Sequence, residues 1–255
     1  DNGDGNISFE QIESGITMLN EDFNRTNDDA DDTRDTEDAP FLDNASSMGI
    51  QFELAKIDPD GNCTNGVQRR FAGSRSYNAD NNMKHYGTGG LDAWNRNLYF
   101  NIWIVNSIDS DGAGTILGYA EFPYGGGSSN YGVIIRNDAY GSTGTASGDR
   151  TLTHEVGHCL GLLHTFQGGC HGSGCDAGGD YCCDTPPVSE AQWSCSGTQN
   201  TCAGIPPGDA YGFNALDQFE NFKHQKRIAV QLALGAEFFG HALAPAFDVL
   251  IFALF

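Results

Sequence analysis

An eleven-residue stretch of this chain reads H-E-x-x-H-x-x-G-x-x-H without a mismatch, and it constrains the fold more than any other feature. On a helix, residues four apart lie on one face, so His154 and His158 can present two imidazoles to one metal ion. Gly161 can leave helical geometry at little cost, which lets His164 reach the same ion. Three histidines leave a fourth position for water, and Glu155 lies beside the ion as a general base. The stretch therefore predicts a catalytic zinc site.

The alternative is a helix with histidines on its surface. The short form H-E-x-x-H occurs by chance in roughly one chain in a hundred of this length. Requiring Gly161 and His164 as well lowers that expectation by about another factor of several hundred. The complete stretch therefore favours a zinc site.

The extended motif resembles that of the metzincin metalloproteases, and the rest of the chain resembles their pappalysin family from about Ile7 to about Ala233. The resemblance implies a secreted zinc endopeptidase that acts on protein or peptide substrates. It also implies an α+β fold with a twisted, mostly parallel sheet, an active-site helix and a disulfide-rich lower subdomain. Besides the zinc motif, the segments that carry the resemblance are Leu19–Asn27, Leu98–Trp103, Gly118–Pro123, His164–Phe166 and Asp184–Val188.

The length suits one catalytic domain over residues 1–234, with an upper subdomain over about 1–161 and a lower one over about 162–234. Residues 235–255 form an apolar tail that resembles nothing in the family and has no assignment. Its polar residues exceed what a membrane span normally tolerates, so we expect no span. A GPI-type tail is an alternative that Asp248 weakens. The sequence opens at Asp1 without an initiator methionine, so we expect that processing or truncation has removed its start.

The chain departs from the family pattern after the zinc motif. Metzincins carry a Met-turn there, whereas Met18, Met48 and Met83 all precede the motif. Asp217–Phe222 resembles the approach to that turn, and Lys223–Ile228 resembles the helix beyond it, so the turn itself is missing. Because methionine fills irregular apolar gaps, its loss predicts a less well supported zinc site. A catalytically impaired extracellular metal-binding module of the same fold is therefore the alternative function. A calcium-dependent binding protein with incidental zinc is a third.

A formal net charge of −21 argues against nucleic acid and anionic membranes as partners. The charge is compatible with calcium binding. The acidic stretch from Asp28 to Asp38 is most simply a solvated loop. Asp1–Ser8 resembles part of an EF-hand loop, but an isolated half-site favours a turn that enters a helix.

Six of the eight cysteines fall between Cys170 and Cys202, a density typical of disulfide bonds. A structural zinc knot is the alternative, but the spacing lacks paired C-x-x-C units. The pairing stays open. Cys159, inside the zinc motif, is best interpreted as a small buried residue, and Cys63 has no assigned partner.

Oxygen-bearing side chains are frequent in the cysteine-rich part of the chain. The family resemblance implies that calcium and disulfide bonds stabilise this part. This predicts calcium ligands among Asp180, Asp184, Thr185 and Asp217.

Hydrophobic spacing predicts the elements around the motif. Helical spacing after Gln11 predicts an amphipathic helix, and alternation around residues 50–54 and 98–104 predicts two strands. Shorter strands are expected at Leu117–Ala120 and Val133–Ile135, on either side of a glycine-rich loop. The zinc helix is expected from about Thr151 to Gly161. The resemblance further implies that extended substrate pairs with the edge strand near Leu117–Ala120.

Overall fold

The computed structural model describes the backbone of residues 5–32, 35–36, 39–40, 45, 47–73, 77–109, 116–125, 127, 129–164, 166–170, 180–181, 189–191, 202 and 247–254. Within them the helices are α1 (Phe9–Asn24) and α2 (Thr151–Cys159). The strands are β1 (Asp35–Thr36), β2 (Ala39–Pro40), β3 (Phe52–Leu54), β4 (Val67–Arg70), β5 (Tyr77–Asn78), β6 (Tyr99–Val105), β7 (Ile108–Asp109), β8 (Gly118–Ala120), β9 (Val133–Arg136) and β10 (Phe247–Leu254).

The chain divides into two compact units. The first comprises Asp1–Glu21, Ile50–Leu160 and Leu243–Phe255, and the second comprises Asp22–Gly49 and Gly161–Ala242. The second contains the β1–β2 pair and a disulfide between Cys170 and Cys202. The disulfide assigns one of the pairings that cysteine spacing left open, while Cys175, Cys182, Cys183 and Cys195 lie outside the described residues. The subdomain boundaries expected from the sequence stay a prediction.

A six-stranded sheet organises the first unit. Its strand order is β3-β10-β6-β9-β8, and β4 also pairs with β10. Every pairing in it is parallel except that of β8 with β9. The mixed α+β class and the mostly parallel sheet expected from the sequence are thereby confirmed.

The strand expected around residues 98–104 is β6, and it is buried along its whole length. All seven residues from Tyr99 to Val105 are buried, because β10 and β9 flank the strand and parallel sheets are covered on both faces. Polar side chains of this strand form hydrogen bonds with backbone groups. Asn101 donates from its amide to the Trp94 carbonyl at 3.0 Å, and the Trp103 indole donates to the Leu91 carbonyl at 2.8 Å.

The expected amphipathic helix is α1, which begins at Phe9 rather than after Gln11. It begins there because the Ser8 hydroxyl accepts the backbone N–H of Gln11 at 3.1 Å, which satisfies one amide that the first turn leaves unpaired. Gln11 itself is buried and donates to the carbonyls of Asn137 and Tyr140 at 2.8 and 3.0 Å. The turn expected before this helix is present at Gly5, and Asp1–Asp4 lie outside the described residues.

The apolar tail is where the sequence interpretation was incomplete. Phe247–Leu254 has an assignment after all: it forms β10, between β3 and β6. A run of apolar residues without a clear period is typical of a strand buried in a parallel sheet, and local sequence cannot show which sheet takes it up. Among the described residues, no helix is long and apolar enough to cross a membrane.

Candidate metal centre and active site

The helix α2 carries the first half of the candidate site. It spans Thr151–Cys159, so the sequence placed its start correctly and its end two residues too late. Asp149 lies just before the N-cap residue Arg150, and its carboxylate accepts the Thr151 N–H at 3.0 Å and the hydroxyl of Ser147. A carboxylate there also complements the positive end of the helix dipole. Sequence reasoning missed Asp149, although an acidic residue just before the helix is a known start signal.

Two histidines face each other on α2. The Nε2 atoms of His154 and His158 lie 3.0 Å apart, and the two rings are nearly perpendicular at 84°. Two nitrogens bound tetrahedrally to zinc at 2.0–2.1 Å lie about 3.3 Å apart, so the pair matches the spacing that this ion requires. The i, i+4 spacing therefore produces the arrangement expected from the sequence.

The chain turns sharply after α2. Leu160 ends the helix, and Gly161 has a φ of +99°, a left-handed conformation that side chains disfavour. His164 follows this turn, and its ring stacks on Phe166 at 4.7 Å. Ligand atoms of His154, His158 and His164 all lie within 4.8 Å of one another. The turn expected at Gly161 is thus present.

The donor set fits zinc. Neutral imidazole nitrogen is a preferred zinc ligand, and three histidines with an open position match a catalytic rather than a structural site. Within the described ranges, these histidines form the only group of three or more His, Cys, Asp or Glu residues able to hold a metal ion. Of the predicted calcium ligands, Asp180 lies in the described part of the chain, whereas Asp184, Thr185 and Asp217 lie outside it.

Glu155 is buried beside the edge strand. Only 6% of the residue is exposed, and this burial raises the pKa of its carboxyl to about 8. Gly118 of β8 makes the close approach possible: a Cβ there would lie 3.2 Å from Glu155 Cγ and 2.9 Å from the Ile134 carbonyl oxygen. The candidate base is therefore held against the strand at which substrate was expected to pair.

The outer edge of β8 is available for pairing. The strand stands at one end of the sheet order, as predicted, and within the described residues it pairs only with β9. The Leu117 carbonyl accepts the N–H of Arg136, and the N–H of Glu121 donates to the carbonyl of Gly132, just before β9. The alternation of antiparallel ladders therefore turns the N–H and C=O groups of Gly118 and Ala120 outward.

Three further residues make contacts at the end of α2 or just after β8. The sequence motifs did not predict these contacts. Tyr131 donates its hydroxyl to the Cys159 carbonyl at 2.7 Å, and burial raises the pKa of that phenol. Lys84 is fully buried, 3.7 Å from a carboxylate oxygen of Glu121. The Phe122 ring lies 5.3 Å from that of His158. Their sequence separation leaves no local pattern from which these contacts could be found.

Within the described part of the chain, two cysteines form no disulfide bond, and both agree with the interpretation of the sequence. Cys159 is buried in α2 and its thiol has a raised pKa because of burial, so it is a packing residue. Cys63 is a free, exposed cysteine. In the acidic stretch, Asp28 and Asp31 are exposed, as a solvated loop requires, and part of that stretch lies outside the described residues.

This helix, turn and edge strand are the arrangement of a metzincin metallopeptidase. Residues 90–225, more than half of the chain, match the peptidase M43 family, described as pregnancy-associated plasma protein-A, and the chain belongs to this family. The pappalysin resemblance is thereby confirmed.

Sequence relatives are named extracellular metalloproteases. One from Verticillium alfalfae is 41% identical over 114 residues, which are 42% of this chain and 36% of the relative. One from Pyricularia oryzae is 31% identical over 172 residues, which are 63% of this chain and 56% of the relative. The chain thus spans only about a third to just over half of the length of these two relatives.

Solved structures extend the likeness over most of the chain. Mature mirolysin of Tannerella forsythia in complex with a cleaved peptide is similar with a TM-score of 0.68 and 33% identity, covering 91% of each chain. Promirolysin of the same organism has a TM-score of 0.71 and 32% identity, covering 91% of this chain and 76% of that one.

Proposed function

We propose that this chain is a secreted zinc endopeptidase that hydrolyses peptide bonds in protein substrates. His154, His158 and His164 would hold the zinc, and Glu155 would act as general base. The observation that carries the proposal is the convergence of three imidazoles next to a buried glutamate. Two kinds of likeness support it: relatives named extracellular metalloproteases, and a similar structure solved with a cleaved peptide.

The side chains divide the chemistry between them. When bound, zinc polarises a peptide carbonyl and lowers the pKa of water toward about 7. Glu155 accepts the proton of the attacking water and returns it to the leaving amine. Its burial suits both steps, because removing water raises the pKa of the carboxyl and so strengthens it as a base.

An extended peptide is the substrate form that the edge strand favours. The outward N–H and C=O groups of Gly118 and Ala120 can add a peptide as a further strand. Glu155 lies against Gly118, so a peptide paired with β8 brings its backbone to the base. Backbone pairing binds many sequences, as an endopeptidase requires.

The test separates proton transfer from metal binding. Glu155→Gln keeps the shape of the side chain but cannot accept the proton, so turnover of a fluorogenic peptide should fall by about 10² to 10⁴ while zinc content stays at one per chain. His158→Ala should lose most of the zinc. Glu10→Gln, at an exposed glutamate of α1, is the matched control and should change neither value. Equal hydrolysis by wild type and Glu155→Gln would refute the peptidase proposal.

The second candidate function is an impaired metal-binding module, and the absence of any methionine after Met83 favours it. The segment expected to approach the Met-turn lies outside the described residues. In pappalysins the methionine of the Met-turn lies beneath the three histidines, and a tyrosine follows two residues later. Grafting such a Met-x-Tyr turn between Phe222 and Lys223 should raise peptide hydrolysis if the missing turn is the only defect of the zinc site. The graft should leave hydrolysis at background if the chain is a binding module.

Calcium stays part of the proposal, with Asp180, Asp184, Thr185 and Asp217 as its candidate ligands. Calcium prefers oxygen ligands and would order the cysteine-rich segment. Adding calcium to chelator-treated protein should raise the melting temperature, and Asp180→Asn should weaken that rise. A melting temperature that does not respond to calcium would refute this part.

A further inference from the structure

The edge strand β8 leads into two stacked aromatic rings beside a candidate zinc ligand. Phe122 lies 5.3 Å from the His158 ring, and the rings of Phe122 and Tyr124 stack at 5.4 Å with 18° between their planes. Tyr124 is 74% exposed, so much of its ring faces solvent. We propose that this aromatic pair, Phe122 with Tyr124, binds an apolar or aromatic side chain of the substrate, two to four residues N-terminal to the cleaved bond. The proposal rests on the proposed endopeptidase function.

The direction of β8 decides which half of the substrate meets the aromatic pair. A peptide that adds antiparallel to β8 runs against the direction from Gly118 to Ala120, and antiparallel pairing is slightly the more stable. Its N-terminal half therefore lies toward Phe122 and Tyr124. Glu155 approaches Gly118 at the start of β8, whereas Phe122 lies two residues beyond the end of the strand at Ala120. That separation corresponds to a few residues of bound peptide.

The backbone that carries the aromatic pair is anchored at several points. The buried Lys84 ammonium donates to the Asn130 carbonyl and lies 3.7 Å from a carboxylate oxygen of Glu121, so it ties together both ends of the segment from 121 to 130. Arg96 donates to the Pro123 carbonyl at 3.3 Å. A surface held in this way binds with little ordering cost.

The local charges favour an apolar ligand. The carboxylate of Glu121 faces the ammonium of Lys84, which leaves the ring faces as the recognition surface. Aromatic side chains gain from stacking on such rings beyond the area they bury.

Peptidyl hydroxamates test the subsite, because the hydroxamate chelates zinc and fixes how far each residue lies from the metal. We compare the affinity of zinc-loaded protein for hydroxamates that carry Phe or Ala as the second, third or fourth residue from the chelating group. At one of these positions Phe should bind about three- to tenfold more tightly than Ala. Tyr124→Ala should bring that ratio close to one, and Tyr124→Phe should preserve it.

Phe71→Ala is the matched control, since Phe71 is 71% exposed and follows β4, which pairs with β10 and not with β8 or β9. This variant should keep the preference for Phe. The subsite is refuted if wild type shows no preference at any position, if Tyr124→Ala keeps the preference, or if an Arg hydroxamate binds more tightly than the Phe one. Because the readout is a ratio of affinities, it is separate from turnover: wild type that binds with this preference but hydrolyses nothing would refute only the peptidase function.

Discussion

The surroundings of Glu155 determine the pKa of its carboxyl. Glycine at position 118 lets its side chain lie against the edge strand, and the surrounding helix and sheet exclude water from it. Removing water disfavours the charged form, which raises its pKa to about 8. A bound cation opposes this effect, because positive charge nearby favours the carboxylate. A bound zinc ion therefore favours the ionised carboxylate of Glu155, whereas burial favours the protonated form.

The metal-free protein should show the effect of burial in its stability. The folded state binds the Glu155 proton more tightly than the unfolded chain does, so the proton stabilises the fold fully below the ordinary pKa of 4.5. That stabilisation is lost as the pH rises to about 8. The free energy of unfolding of wild type should therefore fall over this range relative to Glu155→Gln, which does not titrate. Urea unfolding of chelator-treated protein between pH 5 and 8.5 measures the difference.

Zinc is the internal control for this experiment. With zinc bound, the relative fall should shrink, since the cation favours the ionised carboxylate in the folded state. Parallel profiles of the two metal-free proteins would contradict the prediction and would mean that water reaches the carboxyl.

Among the strands, β10 lies inside the six-stranded sheet, between β3 and β6. It pairs with β6 from Asp248 to Ala253 and with β3 and β4 on its other side. Because β10 has neighbours on both sides, its backbone N–H groups can bond to one or the other. A segment that stands far from β6 in the sequence thus completes the sheet next to the strand that carries Trp103.

Ile251→Pro should destabilise the first unit. Ile251 lies opposite Val67 on one side and Ile102 on the other, so its N–H bonds to one of the two neighbours, and proline removes that donor. A buried carbonyl left without its partner costs about 1–3 kcal/mol. Thermal unfolding measures the loss, with Ile251→Val as the control that retains the N–H. An unchanged melting temperature for Ile251→Pro would show that β10 is dispensable for the sheet.

At the scale of the whole molecule, net charge should influence which peptides arrive fastest. A formal charge of −21 attracts cationic peptides and repels anionic ones, and salt screens both effects. We expect kcat/KM for a peptide of net charge +2 to fall as salt rises from about 20 to 200 mM, and kcat/KM for the same peptide with net charge −2 to rise. A neutral peptide of the same length is the control. Identical salt dependence for all three would contradict electrostatic steering.

Local sequence was sufficient to predict the zinc motif, α1 and α2, whereas the edge position of β8 was implied by the family resemblance. Helical spacing depends only on residues three or four apart, so His154 and His158 were certain to share a face once the helix formed. The turn at Gly161 likewise follows from what one residue type permits. These features were readable because their causes lie within a few positions along the chain.

Contacts between distant segments could be identified only from the tertiary structure. Cysteine spacing could not choose Cys202 as the partner of Cys170, and hydrophobicity could not show that residues 247–254 pair with β6. The buried contact of Lys84 with Glu121, and the stacking of Phe122 beside His158, were equally absent from any motif. The reason is physical: pairing between remote segments depends on the packing of the whole sheet, to which each residue contributes only a small part of the free energy.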